Sequence, residues 1–308
     1  MPPGAMNAPR IANAPLSYGA FEITVGTAFQ VPDPESVLGA IGDAGYAGTD
    51  LGPPGYLGEG EELRGRLEAN ELEVVGGFVP VRFSEPEHWE DGFEGLRRTL
   101  ELFEAAGAVG ARPVLCDAGG PERIANPGCG GDDPVLRLND RRWAALVDGV
   151  ARAGEVARAA GHEPVFHHHT SSYVEGLAGI ERLLEDSDVD LLLDSGHLTV
   201  AGGDPVQALR DWGARVRTVH LKDTRRDVLQ QVRADRADMV SAWRRGLFCA
   251  LGEGDVDLDG FCAELRAMEY DGWVVVEQDR VLEGTGAFPH AVAEQRANRD
   301  WLSEHEGW

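Results

Sequence analysis

The chain has 308 residues, 43% of them hydrophobic, and a formal net charge of −25. That length suits one large α/β barrel or two ordinary domains, with apolar residues enough for a sizeable core. The charge repels phosphate backbones and argues against nucleic acid as a partner, and without a run of about 18 apolar residues no membrane span is expected. The opening MPPGAMNAPR has no apolar signal core, so a cytoplasmic protein is expected. Cys116, Cys129, Cys249 and Cys262 have no CxxC spacing and read as reduced thiols.

In chain order, short β-like runs alternate with amphipathic helical stretches. The predicted strands are 11–18, 48–52, 73–79, 112–118, 163–169, 190–195, 216–222 and 272–278. PESVLGAIGDAGY opens with Pro34 behind Asp33, which reads as an N-cap. GFEGLRRTLELFEAAGA and RRWAALVDGVARAGEVARAAG repeat apolar residues every three or four positions and end on Ala-Gly, a helix stop. VEGLAGIERLLED, DPVQALRDWG and LDGFCAELRAMEY follow in the same manner. Eight such βα units predict an α/β fold, a single (β/α)₈ TIM barrel over 1–308 with residues 1–10 flexible. An open doubly wound sheet is disfavoured, since no GxGxxG opens a helix after the first strand. Residues 224–254 form an insertion after strand seven, long enough to hold its own helix and to act as a lid or an oligomer contact. The second use would make the protein a homo-oligomer.

In barrels of this type the active site lies where strands end and βα loops begin. Strand five ends in His167, His168 and His169, strand six in Asp194 with His197 beyond, strand seven in His220, Lys222 and Asp223, and strand eight in Glu277 and Asp279. Side chains alternate across a strand, so an inward layer of His167, Asp194, His220 and Glu277 is expected, with His168 packed behind it. Two imidazoles and two carboxylates suit a divalent transition metal, Mn²⁺ or Co²⁺ foremost and Zn²⁺ or Fe²⁺ otherwise, better than Ca²⁺ or Mg²⁺. Each of these residues alone would read as a core imidazole, a helix cap or a rim charge. Together, without a metal or partners, they would cost several kcal/mol to bury. His88, His162, His290 and His305 read as loop or helix residues. Lys222 is the one lysine among 28 basic residues, a compact donor in a chain that otherwise uses arginine. It is expected to act on a reaction and not on the fold.

At these positions the sequence resembles the xylose-isomerase-like barrel superfamily of sugar isomerases and epimerases, and within it the inosose (2-keto-myo-inositol) dehydratase family. IANAPLSYGAFE, AGYAGTDLGPPGYLG, VVGGFV, FHHHTSSYVE, LLLDSGHLTVAGGDP, VHLKD, GLFCALGEGDVDL and YDGWVVVEQD carry the likeness. HLKD and the DSGH segment are shared across the superfamily, while the triple histidine, LGPPGYLG and VEQD belong to the dehydratase branch. The resemblance implies a Glu, Asp, His, Glu ligand set on strands five to eight. Asp194, His220 and Glu277 carry over, and the first position falls at His167, leaving His167 or His169 to complete the set. The segment 112–140 with NPGCGGDD has no counterpart, and Tyr18 stands where a tryptophan is expected, a departure that points to an altered substrate.

The implied activity is that of a metal-dependent hydro-lyase on a small-molecule polyol or sugar ketone, with the metal acidifying the C–H beside the ketone. His169, His197, Lys222 and Glu277 are the implied catalytic groups, and Glu22, Asp223 and Asp279 the substrate contacts. The same enediolate would serve a sugar isomerase or epimerase, or elimination from a 3-keto sugar or glycoside. A non-catalytic sugar-binding barrel would not need the ligand set.

Overall fold

A computed structural model describes residues 8–129, 134–284 and 286–308. In chain order its strands are β1 (Arg10–Asn13), β2 (Gly48–Asp50), β3 (Glu73–Val81), β4 (Arg112–Asp117), β5 (Val165–His167), β6 (Asp190–Asp194), β7 (Val216–Leu221), β8 (Asp223–Thr224), β9 (Phe248–Cys249) and β10 (Trp273–Val276). β1 to β7 and β10 are parallel and close into an eight-stranded barrel, β10 lying between β7 and β1. Each predicted strand falls on one barrel strand. The first is shorter than expected, because Pro15 opens a 3-10 turn, Pro15–Tyr18, that ends on Gly19 at φ 85°. Of the stretch expected to be flexible, residues 1–7 lie outside the described residues and Arg10 already pairs with Trp273 in the barrel.

The helices form where the caps direct. The Asp33 side chain accepts from Ser36 N at the start of Pro34–Asp43, and Asn139 accepts from Arg142 N at the start of Asp140–Ala159. Helix Trp89–Ala106 stops at Gly107, which takes the left-handed φ of 69°. Among the described residues no helix is long and apolar enough to cross a membrane.

Strand alternation builds two cores at once. Phe166, Leu191, Leu193, Val219, Leu221, Val274 and Val276 face outward and join the large core beneath the helices. Val165 and Leu192 pack inside the barrel with Val114, and Val275 packs there with Ala12 and Val75. Continuing each inward series by two residues gives His167, Asp194 and Glu277, so the packing that closes the barrel aims these side chains at its mouth. Beyond β7, β8 and β9 pair as an antiparallel ribbon. Between them lie helices Arg226–Ala234 and Met239–Arg244, which bury Leu229, Val232 and Met239 against Val200, Leu247 and Phe248.

Candidate functional site

The strand ends open into a cavity of about 410 Å³. At its floor, ligand atoms of His167, Asp194 and His220 lie within 4.8 Å of one another, and all three residues are buried. Asp194 Oδ2 accepts no hydrogen bond. Around it stand His220 Nδ1 at 3.6 Å and His167 Nε2 at 3.9 Å. Glu277 joins through His220, its Oε2 lying 3.0 Å from His220 Nδ1. A buried carboxylate oxygen that accepts no hydrogen bond, facing two imidazoles and backed by a second carboxylate, is a donor set that fits a divalent transition metal. His168 points the other way and accepts from Asp194 N at 3.1 Å, which steadies the end of β6 from behind. Asp194 Oδ1 accepts from His197 N at 2.8 Å, which fixes the carboxylate's orientation.

Lys222 enters the same floor. Its Nζ is 2.6 Å from Asp279 Oδ1, 3.0 Å from Glu277 Oε2 and 3.3 Å from Asp194 Oδ2. Burial opposes its charge, but Asp194, Asp279 and Glu277 outweigh burial and raise its pKa. The same attraction holds Asp194 well below the usual carboxylate range despite its burial. Lys222 is therefore the counter-charge to three buried carboxylates. His197 Nε2 lies 3.1 Å from Lys222 Nζ and its Nδ1 lies 2.8 Å from Thr170 Oγ1, so both ring nitrogens are engaged. Burial, with His169 and Lys222 beside it, holds His197 well below its ordinary pKa. His169 is half-buried at the cavity wall, with Nδ1 2.7 Å from Thr170 O. A carbonyl can only accept, so this nitrogen carries the proton and Nε2 is left as the basic lone pair. Burial lowers His169 as well, which keeps it neutral.

Glu22, on the loop after β1, lines the cavity. Desolvation at the cavity wall, with Asp50, Glu277 and Asp279 adding to it, lifts its pKa to about 7, although the residue keeps accessible surface. Asp223 does not line the cavity. Its carboxylate accepts from the backbone N–H groups of Thr224, Gly252, Gly254 and Val256, so it pins the return of the insertion and has no oxygen left for a substrate. As the residue after Lys222 it faces the opposite side of the chain. Tyr18 is fully buried against Phe288 and does not line the cavity, so its departure from the expected tryptophan does not touch the substrate's space.

Two carboxylates on the opposite wall escaped the sequence reading. Asp50 ends β2, two residues after Gly48, which faces inner Val75, and it lines the cavity. Asp117 ends β4, with Oδ2 accepting from Tyr173 N at 2.8 Å and Gly119 N at 3.1 Å. Burial lifts each to about 6. The strand-end rule that located His167 and Asp194 would have found both had it been applied to strands two and four. Behind this wall Arg123 and Glu175 form a buried ion pair at 2.7 Å that joins the loops after β4 and β5. Part of NPGCGGDD lies outside the described residues, but Gly128 N donates to Glu175 Oε1 and so ties this segment to the same pair.

Comparison with known proteins places the chain among relatives. Residues 38–305 match the xylose isomerase-like TIM barrel family. An inosose dehydratase of Geobacillus kaustophilus (strain HTA426) is 33% identical over 249 residues, 80% of this chain and 80% of the relative. The crystal structure of the probable 3-DHS dehydratase AsbF from Bacillus anthracis superposes with a TM-score of 0.70 at 16% identity, covering 96% of this chain and 98% of its own. A structure of the IolI protein with a zinc atom bound gives 0.68 at 13% identity, covering 97% and 100%. At these identities the two structures speak to the fold alone.

Proposed function

The chain belongs to the xylose isomerase-like TIM barrel family, and from that premise we propose that it is a metal-dependent hydro-lyase that removes water from a cyclic polyol ketone of the inosose class. The observation that carries this reading is the floor of the cavity, where His167, Asp194 and His220 converge beside the chain's one lysine. His167, Asp194, His220 and Glu277 would hold the metal. His167 is favoured over His169 because it alone of the two shares a cluster with Asp194 and His220. When bound, a divalent metal polarises the ketone and acidifies the neighbouring C–H.

The remaining steps fall to the protein's own groups. His169 Nε2, neutral and open to the cavity, takes the proton from the carbon beside the ketone. Lys222 sets a fixed ammonium where negative charge develops, in a site dry enough for it to count. His197 holds that ammonium through Nε2 and serves as a positioning residue more readily than as a proton carrier. Glu22, lifted to about 7, retains a proton near neutrality and can give it to the departing hydroxyl. Asp279, bonded to Lys222 Nζ, borders the substrate's space. The named activity of the Geobacillus relative supports the dehydratase reading.

The test is direct. Protein stripped with chelator and reloaded with Mn²⁺, Co²⁺, Fe²⁺ or Zn²⁺ is given 2-keto-myo-inositol in D₂O, and loss of water and uptake of deuterium are read by mass spectrometry. Water loss that requires metal is expected. Deuterium uptake with epimerised ketone and no water loss would replace dehydration by epimerisation. Inertness with every metal would remove the reading.

A further inference from the structure

The cavity is polar at its floor and apolar at its mouth. Phe21 and Ile23 from the loop after β1, Ile124 from the loop after β4, and Met239 and Trp243 from the insertion after β7 form the mouth. The rings of Phe21 and Trp243 meet edge-on at 5.1 Å, so two of the three segments touch there. Ile23 is 37% exposed and Ile124 44%, two of the five large apolar side chains exposed among the described residues. Exposed apolar side chains that gather at one cavity mark a surface that a ligand covers.

A bare polyol ketone does not cover it. Such a ring has about twelve non-hydrogen atoms and an oxygen on every carbon, whereas clefts of ~300–1,000 Å³ take larger ligands. Its oxygens would be matched by the floor and by Glu22, Asp50 and Asp117 on the wall, leaving the apolar mouth with water. The occupant of the mouth is not anionic. Apart from histidines, the one basic side chain lining the cavity is Lys222, already engaged by Asp194, Glu277 and Asp279. Asp50 and Asp117 on the wall would repel a phosphate or carboxylate.

We propose that the substrate is a polyol ketone carrying an uncharged apolar substituent, an alkyl or aryl group in ether linkage. The floor binds the ring and the Phe21–Ile23–Ile124–Met239–Trp243 mouth binds the substituent. This inference rests on the polyol-ketone reading above and narrows it. One cavity is lined both by His167, His220 and Glu277 and by these side chains, so it has room for a single molecule to reach both.

The experiment compares kcat/KM for 2-keto-myo-inositol with kcat/KM for its mono-O-benzyl ethers, in the metal-loaded wild type and in Ile124→Asn and Ile23→Asn. Both positions are exposed, and melting curves check that the variants fold. Covering about half of a phenyl ring is expected to favour at least one ether roughly tenfold in the wild type. Each asparagine should cut that preference severalfold. If the mouth only closes over the bare ring, every ether is rejected while 2-keto-myo-inositol is consumed. That result overturns this inference and leaves the reaction standing. An ether preference that neither variant changes also overturns it, since the mouth would not be the origin. If neither the ketone nor any ether is consumed, the assigned reaction fails and this inference falls with it.

Discussion

Replacing Lys222 by methionine separates its two duties. The ammonium lies within 3.3 Å of three carboxylates, on Asp194, Glu277 and Asp279, which are 0%, 3% and 5% exposed. Methionine keeps most of the apolar stem and removes the charge that these groups share. Breaking a buried ion pair by removing one partner costs about 3–5 kcal/mol, because the remaining charge stays uncompensated. Against a total stability of about 5–15 kcal/mol this is a large share, and it corresponds to a fall in Tm on the order of 10 °C. A divalent cation at the same carboxylates would replace the lost charge. In chelator, Lys222→Met should therefore melt far below the wild type, and saturating Mn²⁺ should close most of the gap. Metal affinity should rise in the variant, since a positive neighbour has been removed. Turnover should fall about a hundredfold or more even when metal is saturating, as for loss of an oxyanion donor. The assays are melting curves with and without metal, calorimetric metal titration, and steady-state kinetics. Equal melting of the two proteins in chelator would refute the counter-charge argument, and full turnover in Lys222→Met would refute the catalytic one.

Three further substitutions test the separation of site from scaffold. Asp194→Ala should abolish stoichiometric metal in elemental analysis, because it removes the carboxylate oxygen around which both imidazoles gather; undiminished metal would refute the ligand set. Asp223→Ala should retain metal yet lose roughly 2–4 kcal/mol in urea unfolding, because four backbone N–H groups lose their acceptor. Loss of metal without loss of stability would return Asp223 to the site. Asp117→Asn should be pH-dependent. Burial raises this carboxyl to about 6, so its neutral form favours the fold, fully below the ordinary carboxyl pKa, and that advantage is lost as pH rises through about 6. An asparagine stays neutral, so at pH 8 the variant should be more stable than the wild type by roughly 2 kcal/mol, with the advantage gone near pH 4. The reverse order at pH 8 would refute the burial argument.

The barrel strands and the floor of the site were legible in the sequence for one shared reason. Strand residues alternate, so the apolar pattern that marks β6 also states that Asp194 follows Leu192 on the inner side. The same holds for Glu277 after Val275 and for His167 after Val165. What was not legible depended on contacts between segments distant in sequence. Asp223 looked like a site residue because it adjoins Lys222, and only the return of residues 252–256 shows what its oxygens bind. Arg123 and Glu175 are 52 residues apart and no local pattern links them, yet together they form a buried pair between two loops. The first strand was drawn too long because the apolar run continues past Pro15, where the missing N–H ends the ladder.

Period-two geometry also limits how such a site can change. His220 and Lys222 face inward because Val219 and Leu221 face the helices. A one-residue slip of β7 would present Leu221 and Asp223 to the cavity and send His220 and the ammonium into the apolar layer outside. The same slip in β5, β6 or β10 would remove His167, Asp194 or Glu277 in the same way. The floor is thus bound to the packing of the barrel and can be altered only residue by residue in place. The mouth is under no such constraint. Ile23, Ile124 and Trp243 sit on three separate connections, beyond the strand ladder, where a side chain can be exchanged without moving a strand. Differences in what such a barrel accepts therefore belong to the mouth, while the chemistry performed on the ring belongs to the floor.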